Sequence, residues 1–163
     1  MGEVANRAFG LTDNHMISDA LWCYSRILAE GDEQAVQQMV TVSKVALFTR
    51  KISLGEESLI QVPALKCLTS SLEADDPKIN EHALHNNVLT HLVKLSTQTT
   101  LCQRPEMVKE VMFSFLNIIG GDAYSTMAFI RHDNAFELVV QDYMRRPTIE
   151  VKQEAFDTIH LLF

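Results

Sequence analysis

Residues 110–122, EVMFSFLNIIGGD, are echoed along the same chain by DALWCYSRILAEGD at 19–32 and VPALKCLTSSLEADD at 62–76, with a shorter copy, QEAFDTIHLLF, at 153–163. Aligned on Trp22, Lys66, Phe113 and Phe156, the copies lie 44, 47 and 43 residues apart. That period belongs to solenoids built from two or three helices per repeat. Within the copies, Ala20, Leu21, Tyr24, Ile27 and Leu28, and then Val111, Met112, Phe115, Leu116, Ile118 and Ile119, recur at helical spacing around a wide face. The copied stretch therefore reads as the last helix of a repeat. Two shorter patterns precede each copy: 35–41 then 44–52, 77–85 then 88–96, and 122–131 then 135–145. The expectation is an all-α solenoid with three helices per repeat, one continuous domain over 1–163.

The punctuation repeats as well. Pro63, Pro77, Pro105 and Pro147 are expected at helix starts, where a missing N–H costs nothing. Asp76, just before Pro77, has the character of an N-cap. His85-Asn86-Asn87 and His132-Asp133-Asn134 are matching turns rich in residues that tolerate left-handed backbone. The stretch 97–104 (TQTTLCQR) is a loop insertion that accounts for the longest interval. The apolar run ending at Phe163, where a solenoid would carry a polar cap, reads as part of a longer array.

Composition narrows the partners. The chain is 47% hydrophobic and 21% charged, the balance of a packed protein, and carries a net charge of −7 with a pI near 5.3. Direct binding to nucleic acid or to an anionic membrane is disfavoured, and basic partners are favoured. Cys23, Cys67 and Cys102 are odd in number and lack CxxC spacing, which suits buried thiols in a reducing compartment better than a disulfide framework. No apolar run reaches the roughly 20 residues of a membrane span, and 1–11 lacks the pattern of a signal peptide.

On the last helix of each repeat, the anchor, the residue three before it and the residue four after it share one stripe. These positions read Asp19, Trp22, Arg26; Pro63, Lys66, Ser70; Glu110, Phe113, Asn117; and Gln153, Phe156, His160. Aromatic or cationic residues alternate with hydrogen-bonding ones. Stacked across repeats they form a ladder suited to an extended peptide: amides bond its backbone and aromatic faces hold Lys or Arg stems.

Trp22 and, in its own copy, Asn117 four residues after the anchor match a known pattern. The chain resembles the armadillo-repeat proteins, and among them the importin-alpha family of nuclear-import adapters. Pro63-Ala64-Leu65-Lys66 is similar to that family's PALR string, and Asn117-Ile118-Ile119-Gly120-Gly121 to its asparagine-isoleucine turn. The resemblance implies a right-handed superhelical solenoid whose third helices hold basic nuclear localisation signals in a concave groove. Lys66 at the anchor implies the later repeats, which form the minor signal-binding site. For the full-length protein the resemblance further implies importin-beta and an export receptor as partners, and residence in cytoplasm and nucleus. Arg26, Ser70 and His160 stand where the family has amides, and Phe113 and Phe156 where it has indoles. The groove is thus expected at Asp19, Trp22, Arg26, Lys66, Ser70, Glu110, Phe113, Asn117, Gln153, Phe156 and His160. The alternative on the same fold is an interaction scaffold of signalling or cytoskeletal type.

Catalysis has no support from the sequence. It contains no GxSxG, P-loop, HExxH or GxGxxG string, and Gly120-Gly121 closes a helix instead of following a strand. Asp75-Asp76 and Glu56-Glu57 read as solvated turn acids. His82, His85 and His91 lack a nearby cysteine, so neither a metal nor a cofactor is expected.

Overall fold

The computed structural model describes residues 13–53, 57–74, 76–97, 104–132 and 134–145, together with positions 153, 157, 160 and 161. Among the described residues there are nine helices: α1 (Asn14–Glu30), α2 (Glu33–Met39), α3 (Val42–Lys51), α4 (Ser58–Leu72), α5 (Pro77–His85), α6 (Val88–Thr97), α7 (Pro105–Gly121), α8 (Ala123–Arg131) and α9 (Ala135–Arg145). The cycle of short, middle and long helix is the one the repeated pattern predicts. Cys102 and the larger part of the 97–104 insertion, Pro147 and Phe156 lie outside the described residues.

Aspartates set the phase. Asp32, Asp76 and Asp122 close the three copied stretches, and each caps the short helix that follows. Their carboxylates accept from the backbone N–H of Ala35 at 2.7 Å, Lys78 at 3.0 Å and Ser125 at 2.7 Å. A side-chain acceptor there satisfies one of the four donors a helix leaves open. Asp13 does the same for α1. At the turn after α5, Asn87 takes φ 59°, the left-handed conformation its position requires. Gly121 ends α7 against Asn80 of α5, where a β-carbon would come within 2.0 Å of the amide nitrogen.

One proline departs from expectation. Pro77 and Pro105 open their helices, but α4 begins at Ser58 and Pro63 sits inside it. A proline there has no N–H to give to the carbonyl four residues back, that of Leu59. Ser18 of α1 supplies the donor, its Oγ lying 2.9 Å from the Leu59 oxygen. The neighbouring repeat thus completes the helix.

The core is continuous. Leu21, Tyr24, Phe48, Ile60, Leu65, Leu68, Leu92, Phe115 and Phe129 are fully buried in one cluster that passes from repeat to repeat. Aromatic pairs Tyr24–Phe48 and Phe115–Phe129, each with ring centroids 5.4 Å apart, both join a long helix to the repeat that follows it. The Tyr24 hydroxyl donates to the Met39 carbonyl at the open C-terminal end of α2. Lys44 Nζ reaches the same oxygen at 3.3 Å while lying 4.8 Å from the Tyr24 ring centroid. Burial raises the pKa of the Tyr24 phenol and lowers that of the Lys44 ammonium, so this cap is strongly desolvated. The long helices form one row, α1 on α4 and α4 on α7, while α3, α5 and α8 stack behind them.

Two measurements check this packing. Ser18→Ala is expected to lower the unfolding free energy by about 1 kcal/mol in urea titration, and by less in a Pro63→Ala background, where the substituted residue supplies its own N–H. Equal losses in both backgrounds would exclude the compensation. Cys67 is buried with its thiol donating to the Leu21 carbonyl at 3.2 Å, and burial pushes its pKa up. Cys23 is exposed. A thiol reagent, with sites mapped by mass spectrometry, is expected to label Cys23 in the folded protein and Cys67 only after denaturant is added.

Candidate peptide-binding groove

Three clefts run along the row of long helices. The first, about 290 Å³, lies between Trp22 and Arg26 of α1 and Lys66, Ser70 and Glu110 of α4 and α7. The second, about 260 Å³, is lined by Ser70, Glu73, Lys109, Glu110 and Phe113. The third, about 310 Å³, is lined by Leu72, Glu73, Leu116, Asn117, Gly120 and Leu161 among others. Ser70 and Glu110 are shared by the first two and Glu73 by the last two, so the clefts form one groove.

The anchors face this groove because the opposite sides of their helices are used up by the core. Leu21 and Tyr24 are buried on either side of Trp22, which is itself 40% exposed. An indole held open next to buried neighbours is a surface feature, not a core residue. Phe113 is half-buried in the second cleft, with Phe115 behind it in the core.

The groove floor is a hydrogen-bonded ladder between α4 and α7. Lys66 Nζ lies 2.9 Å from Glu110 Oε1, with the two side chains 36% and 25% exposed. One turn on, Thr69 Oγ1 and Ser114 Oγ are 2.8 Å apart, so one hydroxyl donates to the other and the accepting one keeps its proton for a carbonyl of its own helix. Asn117 Nδ2 donates to the Thr69 carbonyl at 3.3 Å. These bonds tie the repeats together and fix the groove's polar atoms in place. Arg26 instead reaches back along α1 to Glu30, at 3.8 Å between two largely exposed side chains. Such a pair is worth little, and the guanidinium is available to the first cleft.

Of the residues picked out from the sequence, Trp22, Arg26, Lys66, Ser70, Glu110, Phe113 and Asn117 are brought together here. Asp19, Gln153 and His160 are exposed but outside the three clefts, and Gln153 Nε2 donates to Asp157 at 2.9 Å. Ala29, Glu73, Gly120 and Lys109 line the groove without having been picked out. The first three stand seven residues after Trp22, Lys66 and Phe113; following the stripe one more helical turn would have found them.

Glu73 has a distinct electrostatic setting. It is exposed at the C-terminal end of α4, where unpaired carbonyls already make the potential negative. Glu73 and Glu110 together outweigh Lys109 in the second cleft, which has a negative balance. The first cleft has the opposite one.

No protein-family model matches the chain, and no curated protein does. Solved structures do. A designed armadillo repeat protein in complex with the peptide (KR)4 superposes with a TM-score of 0.79 at 14% identity. A computationally designed armadillo repeat protein for modular peptide recognition gives 0.80, also at 14% identity. In both cases the match covers 98% of this chain and 63% of the designed one. An engineered protein with 20% identity gives 0.81 over 99% of this chain and 63% of its own length. At these identities the likeness establishes the fold, and the fold is that of armadillo repeats.

Proposed function

We propose that the groove along α1, α4 and α7 holds an extended basic peptide, and that the chain serves an importin-alpha-like adapter for nuclear localisation signals. The observation that carries this reading is the continuity of the three clefts along one face, with an open indole at one end, carboxylates in the middle and an amide at the other. An extended peptide advances about 3.3 Å per residue, so roughly three residues span the 8–10 Å between packed helices. Alternate side chains then enter the clefts while the backbone passes over the amide. Phe113, Leu116 and Leu72 offer surface to a Lys or Arg stem, and Glu110 and Glu73 receive its head. The (KR)4 peptide held by a designed protein of the same fold supports this ligand class. On this reading the whole protein works in cytoplasm and nucleus with importin-beta and an export receptor.

A second reading, an armadillo scaffold in signalling or cytoskeletal assembly, is favoured by one observation. Arg26 and Lys66 together line the first cleft, which suits an acidic or neutral residue of a mixed-charge segment better than another cation.

Calorimetric titration with a basic signal peptide tests the proposal. Asn117→Ala and Phe113→Ala are each expected to weaken binding about tenfold, near 1.4 kcal/mol. Glu73→Gln is expected to weaken it as well, and affinity should fall as salt rises. Unchanged affinity in both Asn117→Ala and Phe113→Ala would exclude the groove as the site.

A further inference from the structure

Arg26, Lys66 and Glu110 give the first cleft a surplus of positive charge, while Glu73, Glu110 and Lys109 give the second a surplus of negative charge. Glu110 lines both clefts, and Lys66, which lines the first, holds it with Nζ 2.9 Å from Oε1. A single ion pair therefore stands at the boundary between two clefts of opposite sign, its cation on the positive side and its anion reaching both.

The pair is placed to change partners. Both side chains are partly exposed, so an incoming charge meets each of them without entering the core. The seam between α4 and α7 is held independently one turn on, by the Thr69–Ser114 bond and by Asn117 on the Thr69 carbonyl. Arg26 has only a weak hold on its exposed neighbour Glu30, at 3.8 Å. An anion in the first cleft draws Arg26 and Lys66, and a cation in the second draws Glu110 and Glu73. Either charge alone takes one member of the pair and strands the other, whereas both together give each member a new partner.

We infer that the groove selects a bipolar segment, with an anionic side chain in the first cleft and a basic one in the second, the two binding cooperatively through exchange of the Lys66–Glu110 pair. This rests on the groove being the peptide site, and it names the segment that site prefers. The coupling is reciprocal: each charge strengthens the binding of the other by the same factor. Carboxylate and phosphate both suit the forked guanidinium of Arg26. Packed helices 8–10 Å apart and a rise of about 3.3 Å per residue separate the two charges by roughly two to three residues, and strand alternation favours two. A wholly basic segment is the poorer ligand, because its residue in the first cleft meets Arg26 and Lys66.

Calorimetric titration of the whole chain tests the exchange with peptides that share one basic segment and differ two residues beyond it. That position carries alanine, glutamate, phosphoserine or lysine, on the N-terminal side in one set and the C-terminal side in the other, since an extended chain can enter either way round. In one set glutamate is expected to bind about fivefold tighter than alanine, and lysine more weakly than alanine. Phosphoserine above glutamate marks phosphate as the preferred anion, and the reverse marks carboxylate. Arg26→Glu should invert the ranking, with lysine above glutamate. Lys66→Met should tighten the alanine peptide, by freeing Glu110, while shrinking the gain from glutamate; a purely structural Lys66 would weaken every peptide alike. Circular dichroism melts check that both variants fold, and Arg26, being exposed, gives a second route should Lys66→Met unfold. Equal affinity for alanine, glutamate and lysine in both sets would overturn the inference and leave the groove as a site for basic peptides. A glutamate gain that survives Arg26→Glu would overturn it too, by placing the anion elsewhere. Absence of binding by every peptide would overturn both readings.

Discussion

Each long helix is apolar around more of its surface than its own repeat can cover, and the stacking of α1 on α4 and α4 on α7 is the contact on which the rest depends. In α4, Ile60, Ala64, Leu65, Cys67, Leu68 and Leu72 are all buried, so neighbours must close on it from several sides. Close approach in turn selects small side chains at the contact: Ser18, Ala64, Cys67, Thr69 and Ser114. The polar ones among them are satisfied across the seam or by a carbonyl within their own helix. Packing at this density leaves one narrow strip per helix outside the core. That strip is the groove.

The fold therefore decides where a ligand would lie, and the strip decides what it would be. Trp22, Lys66 and Phe113 occupy the same structural position with three different chemistries. Lys66 spends much of its charge on Glu110, which makes it as much a strut between repeats as a recognition element. Glu73, which has no such strut among the described residues, keeps its charge for the groove. An overall charge of −7 thus resolves into a locally uneven surface, with cations toward α1 and carboxylates toward α7.

Much of the architecture was legible in the sequence because a repeat states its own rule several times. The period, the order of short, middle and long helices and the asparagine turns follow from copies that agree with one another. Asp32, Asp76 and Asp122 end the copied stretches and cap the next helix, so the aligned motifs held the caps of three short helices in plain view. Pro63 misled for a physical reason: a proline inside a helix is tolerated only when something distant replaces its hydrogen bond, and Ser18 is 45 residues away in sequence. Glu73 was passed over because a stripe read over two turns stops short of the third, and Lys109 because it stands four residues before Phe113, one position off the stripe. The partnering of Lys66 with Glu110 and of Asn117 with the Thr69 carbonyl depends on how far adjacent helices shift along one another, which no single copy records.

The bond from Ser18 to the Leu59 carbonyl also gives the array a direction. Helix α4 carries a break in its own ladder that is mended only while α1 is docked, whereas α1 contains no proline and owes α4 no such repair. Loss of α1 from the row would leave a gap at the heart of its successor and loosen it in turn. Unravelling that starts at α1 should therefore travel inward more readily than the formula of independent repeats with uniform nearest-neighbour coupling would give. A single proline thus couples the integrity of α4 to the docking of α1.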